Sequence, residues 1–264
     1  MSILQRELTF LIALWKANLL AAMEYRVAFL AQAIGMFLNN AIYFLFWILF
    51  FQRFQTVRGW GLDEMLLLFA VVAVGFGLAT FLFGNVLTLS TIISEGRLDY
   101  YLSLPRPVLL HVLAGSSSTS GLGDFVYGLC SFALAGYFTP DAIGRFVLGS
   151  LFSGLIMLAA LVIAHSAAFW LGNASLLAAH TTNAIITFAL YPITLFDGTA
   201  KVLLFTVLPA ALVGAVPAEF VRRFSWQTLG QLALAALIFL VLAIVIFHRG
   251  LQRYESGSAI QTQV

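Results

Sequence analysis

The sequence predicts an all-α membrane protein: six transmembrane helices, an N-terminal amphipathic helix in the membrane interface, and a re-entrant helical hairpin before the last span. Three observations carry this reading. Of the 264 residues, 62% are apolar and only 9% are charged, where soluble domains are about one-half apolar and one-quarter charged. A water-soluble chain of that composition has no polar skin to cover its core, whereas a bilayer demands apolar outward faces. The few charges gather in short polar stretches, separated by apolar runs of roughly 20 residues, the length that crosses a bilayer. The chain length leaves one membrane domain, residues 1–264, and no sizeable soluble domain.

Each element follows from its residues. In 1–26, Leu4, Leu8, Leu11, Trp15 and Leu19 recur at helical spacing, while Gln5, Thr9 and Lys16 occupy another face. Arg6, Glu7, Lys16, Glu24 and Arg26 are too many charges for a span, so this helix is read as interfacial. It is not read as a secretory leader, because the run Thr9 to Trp15 is short, ends at Lys16 and lacks an Ala-x-Ala-like cleavage site. The first span, 27–51, carries no charge. Gln52, Arg53, Gln55 and Arg58 then mark an aqueous loop, with Gly59 and Gly61 breaking the helix. The second span falls in 65–93, and the polar segment 94–111 follows, holding Glu95, Arg97, Asp99 and Arg106.

The run Gly115-Ser-Ser-Ser-Thr-Ser-Gly121 is a poor membrane core, and an aspartate at the bilayer centre costs about 2.5–3.5 kcal/mol. The third span is therefore expected over 122–138, with Asp124 at its interfacial end. The fourth is 146–171 and, after the break Gly172-Asn173, the fifth is 175–195. Residues 201–219 are almost wholly apolar, yet Pro209 and Pro217 interrupt them with Gly214 between. Proline removes a backbone donor, so two short helices that dip into the membrane and return are expected there. Such irregular backbone must be covered by protein or face a water-filled cavity. The sixth span, 226–247, leads to a polar tail, His248 to Val264.

Six spans place both termini on one side. Lys and Arg divide almost evenly: Arg6, Lys16, Arg26, Arg97, Arg106, Arg249 and Arg253 against Arg53, Arg58, Arg145, Lys201, Arg222 and Arg223. Arg6, Lys16 and Arg26 before the first span favour a cytoplasmic N-terminus. The formal net charge of +2 argues for no nucleic-acid partner. The single cysteine, Cys130, excludes an intrachain disulfide and is expected to be a small buried residue.

The span centres are read as free of Asp, Glu, Lys and Arg, against an ion-coupled carrier. Asn39, Asn40, Asn85, His165, His180 and Asn183 are their polar residues, and His165 and His180 are expected to hydrogen-bond between helices. The chain has no Gly-x-x-x-x-Gly-Lys-Ser/Thr, no His-Glu-x-x-His and no Gly-x-Ser-x-Gly. No metal, cofactor or catalytic residue is therefore expected. Gly149 with Ser153 and Ser150 with Gly154 have the small-xxx-small spacing that lets helices approach closely.

Two segments carry a family likeness. One is Ile93-Ser-Glu-Gly-Arg-Leu-Asp-Tyr-Tyr-Leu-Ser-Leu-Pro105-Arg-Pro107; the other is Tyr191-Pro192-Ile-Thr-Leu-Phe196 with Leu208-Pro209 and Val216-Pro217-Ala218. With the six-span layout they resemble the permease subunits of type-2 ABC exporters, in the bacterial group called ABC-2 family transporter proteins. The likeness implies a permease without its own ATPase, in a bacterial cytoplasmic membrane with both termini cytoplasmic. It implies a separate nucleotide-binding subunit that holds ATP and magnesium, and pairing with a second copy or a sister permease. It implies that Glu95 to Pro105 is a cytoplasmic coupling element bounded by Gly96 and Pro105. Leu98, Tyr101 and Leu102 would give apolar contacts to the ATPase, with Glu95, Arg97 and Asp99 around them. Pro192, Pro209, Gly214 and Pro217 would belong to a re-entrant gate at the outer mouth. The Gly/Ser-rich approach to the third span departs from the family pattern. An uncharged, aromatic-rich path is expected to suit a lipid, a lipid-like molecule or a hydrophobic drug. An ion-coupled secondary carrier or a membrane-embedded enzyme is the alternative.

Overall fold

A computed structural model describes residues 3–255, without the side chains of residues 3 and 4. The side chain of Leu4 in the expected apolar stripe, and residues 256–264 of the expected tail, lie outside the described residues. Helix α1 (Ile3–Glu24) turns at Tyr25 into α2 (Arg26–Arg53), and α3 (Leu62–Leu82) returns antiparallel to it. A 3-10 turn (Gly84–Thr88) then leads through α4 (Leu89–Ser94), α5 (Leu98–Leu102) and α6 (Val108–Ala114) to α7 (Ser120–Leu134). Helix α8 (Pro140–Ser166) runs back and is prolonged by α9 (Ala168–Leu171); α10 (Ser175–Ala189) reverses again. After a second 3-10 turn come α11 (Gly198–Thr206), α12 (Ala210–Val213), α13 (Ala215–Arg222) and α14 (Trp226–Leu251). No named strand occurs among the described residues.

Four stretches are long and apolar enough to cross a membrane: α2, α3, α8 with α9, and α14. A fifth apolar unit is bent, α11 meeting the α12–α13 run at 63° across Pro209. Where the third and fifth spans are expected, α7 and α10 have 15 residues each, about 22 Å at the helical rise. The expected second span, 65–93, stops at Leu82 and breaks into the 3-10 turn.

Helix α3 is the hub. It is apolar all round, and a helix of that kind is stable only when covered on all sides; every residue from Met65 to Gly75 is buried. Helix α7 covers one side and α8 the other, α2 packs outside α7, and α14 outside α8. The crossings are close because small residues meet at them. A Cβ on Gly75 would lie 2.7 Å from Ser153 Oγ and 2.9 Å from Gly154 N of α8. A Cβ on Gly77 would lie 2.7 Å from Phe125 N of α7. The small-residue spacing on α8 thus marks a real helix contact, and Ser153 Oγ also donates to Val213 O at 2.7 Å.

The helix ends sort into two groups. At one end, α1, the segment 84–118, the start of α7, the end of α8 and the end of α14 come together: Glu7 pairs with Arg106, Ser90 meets His165, and Phe169 packs on Phe247 and Tyr254. At the other end lie the loop 54–61, the α7–α8 turn, the end of α13 and the start of α14. The described ends of the chain, near Glu7 and Tyr254, are therefore on the same side of the bundle. The inward face of α1 runs through Glu7, Phe10, Leu11, Leu14, Trp15 and Asn18, so Leu8, expected on that stripe, is instead exposed. Cys130, expected to be buried, faces outward on α7.

Replacing Gly75 with valine is expected to force α3 and α8 apart and to cost about 1–3 kcal/mol. Gly144→Ala, in α8 where an added Cβ meets nothing within 4 Å, is expected to raise stability by up to about 1 kcal/mol. Thermal unfolding of both variants in one mild detergent checks the contrast.

Candidate functional site

The segment after α3 is built as a braced platform. A helix that stops leaves carbonyls without partners, and here other segments take them. Trp15 Nε1 of α1 donates to Leu82 O at 2.7 Å, and Ser118 N donates to Thr80 O at 3.1 Å. Gly84 N donates to Ser116 O at 2.9 Å. Asn85 donates through Nδ2 to Val112 O at 2.7 Å and accepts from Ser116 Oγ at 2.7 Å. The Gly/Ser-rich run that made an unpromising span is thus the strip of small polar backbone that closes the break in α3. A Cβ on Gly84 would fall 2.7 Å from Ser118 N, so only glycine admits this contact.

On this platform sits α5, entered through Gly96 at φ +75, a conformation glycine adopts without steric cost. The expected coupling residues divide by exposure. Leu98 is 0% exposed and belongs to the main core, which corrects the expectation that it meets a partner: α5 turns this side chain inward, next to Tyr254 beyond α14. Asp99 lies beside Tyr254, and burial, then Asp99, push the Tyr254 phenol up to about 12. Tyr101 is half-buried, receives Asn85 Nδ2 at 3.4 Å, and its phenol is raised by burial. Leu102 is 43% exposed, and Tyr100, outside the expected contact set, is 64% exposed. Glu95 and Arg97 pair with each other at 2.9 Å in solvent, and Pro105 is exposed beyond them. The outward surface is therefore Tyr100, Leu102 and Pro105 with a charged rim.

Helix α1 is fastened to the same platform. Glu7 pairs with Arg106 at 2.9 Å, and the Arg106 guanidinium lies 4.0 Å from the Phe10 ring centroid. His111 makes edge contacts with both Phe10 and Tyr101, at 5.0 and 5.3 Å between centroids. Burial and then Arg106 lower the His111 pKa from its ordinary 6.5, with Glu7 opposing. Asn18 Nδ2 donates to Ala114 O at 3.0 Å.

Between α2, α3, α7 and α10 lies a cavity of about 830 Å³, within the range of small-molecule sites. Phe46, Trp47, Phe69 and Phe76 line it with Asn39, Asn40, Asn183 and Asp124. Asp124 corrects two expectations. It is only 4% exposed, and Asn40, near the midpoint of α2, donates to its Oδ1 at 2.6 Å. It therefore sits at mid-helix depth, not at an interfacial end, and the bundle interior does hold an acidic residue. Glycines at 121 and 123 of α7 let this turn press against Gly77 and Ala33, which seats the carboxyl inside. His165 is buried and meets Ser90 Oγ at 3.0 Å, joining α8 to α4 as expected. His180 is exposed on α10.

At the opposite end, Arg222 of α13 gathers the neighbouring segments. It bonds Glu64 at 2.9 Å and Glu219 at 2.8 Å, and stands 5.2 Å from the Trp60 ring centroid. Glu64 also accepts Gly61 N at 2.8 Å, capping α3. Arg58 pairs with Asp197 at 3.2 Å. Of the expected gate residues, Pro209 stands at the 63° bend, and Pro192 starts the turn Ile193–Leu195. Gly214 separates α12 from α13 where the chain presses on Ala189 O. Pro217 does not interrupt its helix: it lies in the first turn of α13, where a missing N–H leaves no bond unmade. No group of three or more His, Cys, Asp or Glu side chains is placed to hold a metal among the described residues.

A family model described as ABC-2 family transporter protein matches residues 37–258. No curated protein and no solved structure matches the chain.

Leu98→Ala is expected to cost about 2–5 kcal/mol of stability, while Leu102→Ala on the outward face stays within about 0.5 kcal/mol; parallel melting curves check the pair. The His111 shift gives a pH dependence. Because its folded pKa lies below 6.5, the unfolded chain takes up the proton first, so stability falls as pH drops below that value and is flat above it. Proteolytic release of α1 is expected to speed up at pH 5.5 relative to 7.5, and His111→Phe is expected to abolish that difference.

Proposed function

The chain belongs to the ABC-2 transporter family, and from that premise we propose that it is the membrane permease of an ATP-driven exporter, coupled to a separate ATPase subunit. The membrane-embedded transport role follows from the family and the apolar helices. The observation that carries the coupling reading is the braced α5 platform. A short helix presents Tyr100 and Leu102 outward while Leu98, Tyr101 and Asp99 root it in the core, in the break of α3 through Asn85, and beside Tyr254 after α14. A push on α5 reaches the hub helix through hydrogen-bonded and packed groups, as a transmission element requires.

In this reading the α5 end faces the cytoplasm of a bacterial cell, both termini lie there, and the partner ATPase holds ATP and magnesium. The bent α11–α13 unit is a re-entrant hairpin at the outer mouth, latched by Arg222 and released during export. The permease works with a second copy or a sister permease, and this chain carries out no catalysis. The buried Asp124 favours the ion-coupled carrier as the second reading; uptake that survives ATP depletion and collapses with the proton gradient would decide for it.

Purification of the tagged protein in mild detergent, with mass spectrometry of what accompanies it, tests the proposal. A stoichiometric ATP-binding subunit is expected, and its loss from the Tyr100→Ala/Leu102→Ala double variant, at unchanged melting temperature, is expected too. A wild-type chain that purifies alone under conditions preserving other ABC complexes would overturn it.

A further inference from the structure

The Asp124 carboxyl is incompletely satisfied. Its Oδ1 accepts the Asn40 amide, while Oδ2 is sealed from water and has no hydrogen-bond partner among the described residues. A carboxyl oxygen buried without a donor is costly, and such groups persist where they serve a site. Asp124 forms part of the wall of the 830 Å³ cavity. None of the residues lining that cavity is Lys, Arg or His, so the protein offers the carboxylate no cation there. The rest of the wall is aromatic and amide in character. Tyr43, Phe46 and Trp47 of α2 stand along it, and aromatic faces attract cations as well as apolar bodies.

We propose that this cavity binds an apolar molecule bearing an ammonium group, whose N–H donors reach Asp124 while its body lies against the α2 aromatics. The cation supplies the counter-charge that the lining lacks. Asn40, on the same cavity wall, fixes the carboxyl by its hydrogen bond to Oδ1, and acts as a positioning residue. Asn183 of α10 lies on the facing wall. The inference deepens the permease reading by giving the transported class, and rests on it for the direction of movement; binding itself does not depend on the ATPase.

The test compares two fluorescent probes that differ in one group: N-dansyl-1,6-hexanediamine, which ends in an ammonium, and N-dansyl-6-aminohexanol, which ends in a hydroxyl. Each is titrated at pH 7 against the full-length chain in phosphatidylcholine nanodiscs, with empty discs subtracted. The amine is expected to bind roughly tenfold to a hundredfold more tightly than the alcohol, the scale of one charge-assisted hydrogen bond. Asp124→Asn keeps an acceptor for Asn40 and removes the charge, so it is expected to erase the preference. Thr187→Trp on α10 fills the cavity without touching the carboxyl and is expected to weaken the amine to the level of empty discs. Equal affinity of wild type for the two probes, a preference retained in Asp124→Asn, or amine binding untouched by Thr187→Trp would each overturn the proposal. If Asp124→Asn does not fold, the wild-type comparison and Thr187→Trp decide. A chain that co-purifies with an ATPase yet shows no amine preference refutes this inference alone, and leaves the permease reading standing.

Discussion

Backbone groups that leave a helix inside an apolar protein must find partners, because neither lipid nor hydrocarbon side chains can serve them. The rest of this structure depends on how α3 meets that constraint when it stops at Leu82. Its last carbonyls are taken by Trp15 of α1 and by Ser118 in the approach to α7, while Gly84 beyond the break donates to Ser116. One interruption thus ties together the N-terminal helix, the hub and the strip leading into α7. The 3-10 turn that results brings Asn85 against α6 and Tyr101, so the platform carrying α5 is anchored where the helix breaks.

The two ends of the bundle are held by different physics. The α5 end is stitched chiefly by partly buried hydrogen bonds and ring contacts, with the single Glu7–Arg106 pair among them. The opposite end is held by ion pairs around Arg222, with side chains between 16% and 43% exposed. Partly solvated pairs of this kind are weak individually and can exchange partners. A rigid end and a rearrangeable end, joined by the glycine crossings of α3, suit a body that moves as a unit against a looser rim.

Much of this was legible in the residues. Helices α2, α8 and α14 follow charge-free runs, and Pro209 marks the bend by its chemistry alone. The break in α3 was not, since Phe83-Gly84 sits inside an apolar run and the cause of the break, Ser116 to Ser118, lies some 30 residues away. Leu98 and Leu102 are both apolar residues of a five-residue helix, too short for a periodic face to separate the inward side chain from the outward one. The depth of Asp124 is hidden from the sequence for a related reason. A transfer cost argued it toward the interface, while α7 begins with glycines that let it press so close to α2 and α3 that the residue is carried inside. Composition prices a side chain against lipid; it does not know which neighbour will shelter it. Cys130 shows the converse, a small residue assigned to the interior that the turn of α7 leaves outward.

The strap formed by α1 bears on how the protein is made. Glu7 waits for Arg106, 99 residues later in the chain, and Asn18 for Ala114, 96 residues later. At synthesis rates of roughly 5–20 residues per second, that interval is about 5–20 s. Through that interval the first helix lacks these two fastenings, although Leu82 reaches Trp15 sooner, while Leu8, Ile12 and Leu20 stay more than half exposed even in the finished fold. The helix that is made first is therefore among the last to be fully fastened, and the segment that follows α3 supplies the ties.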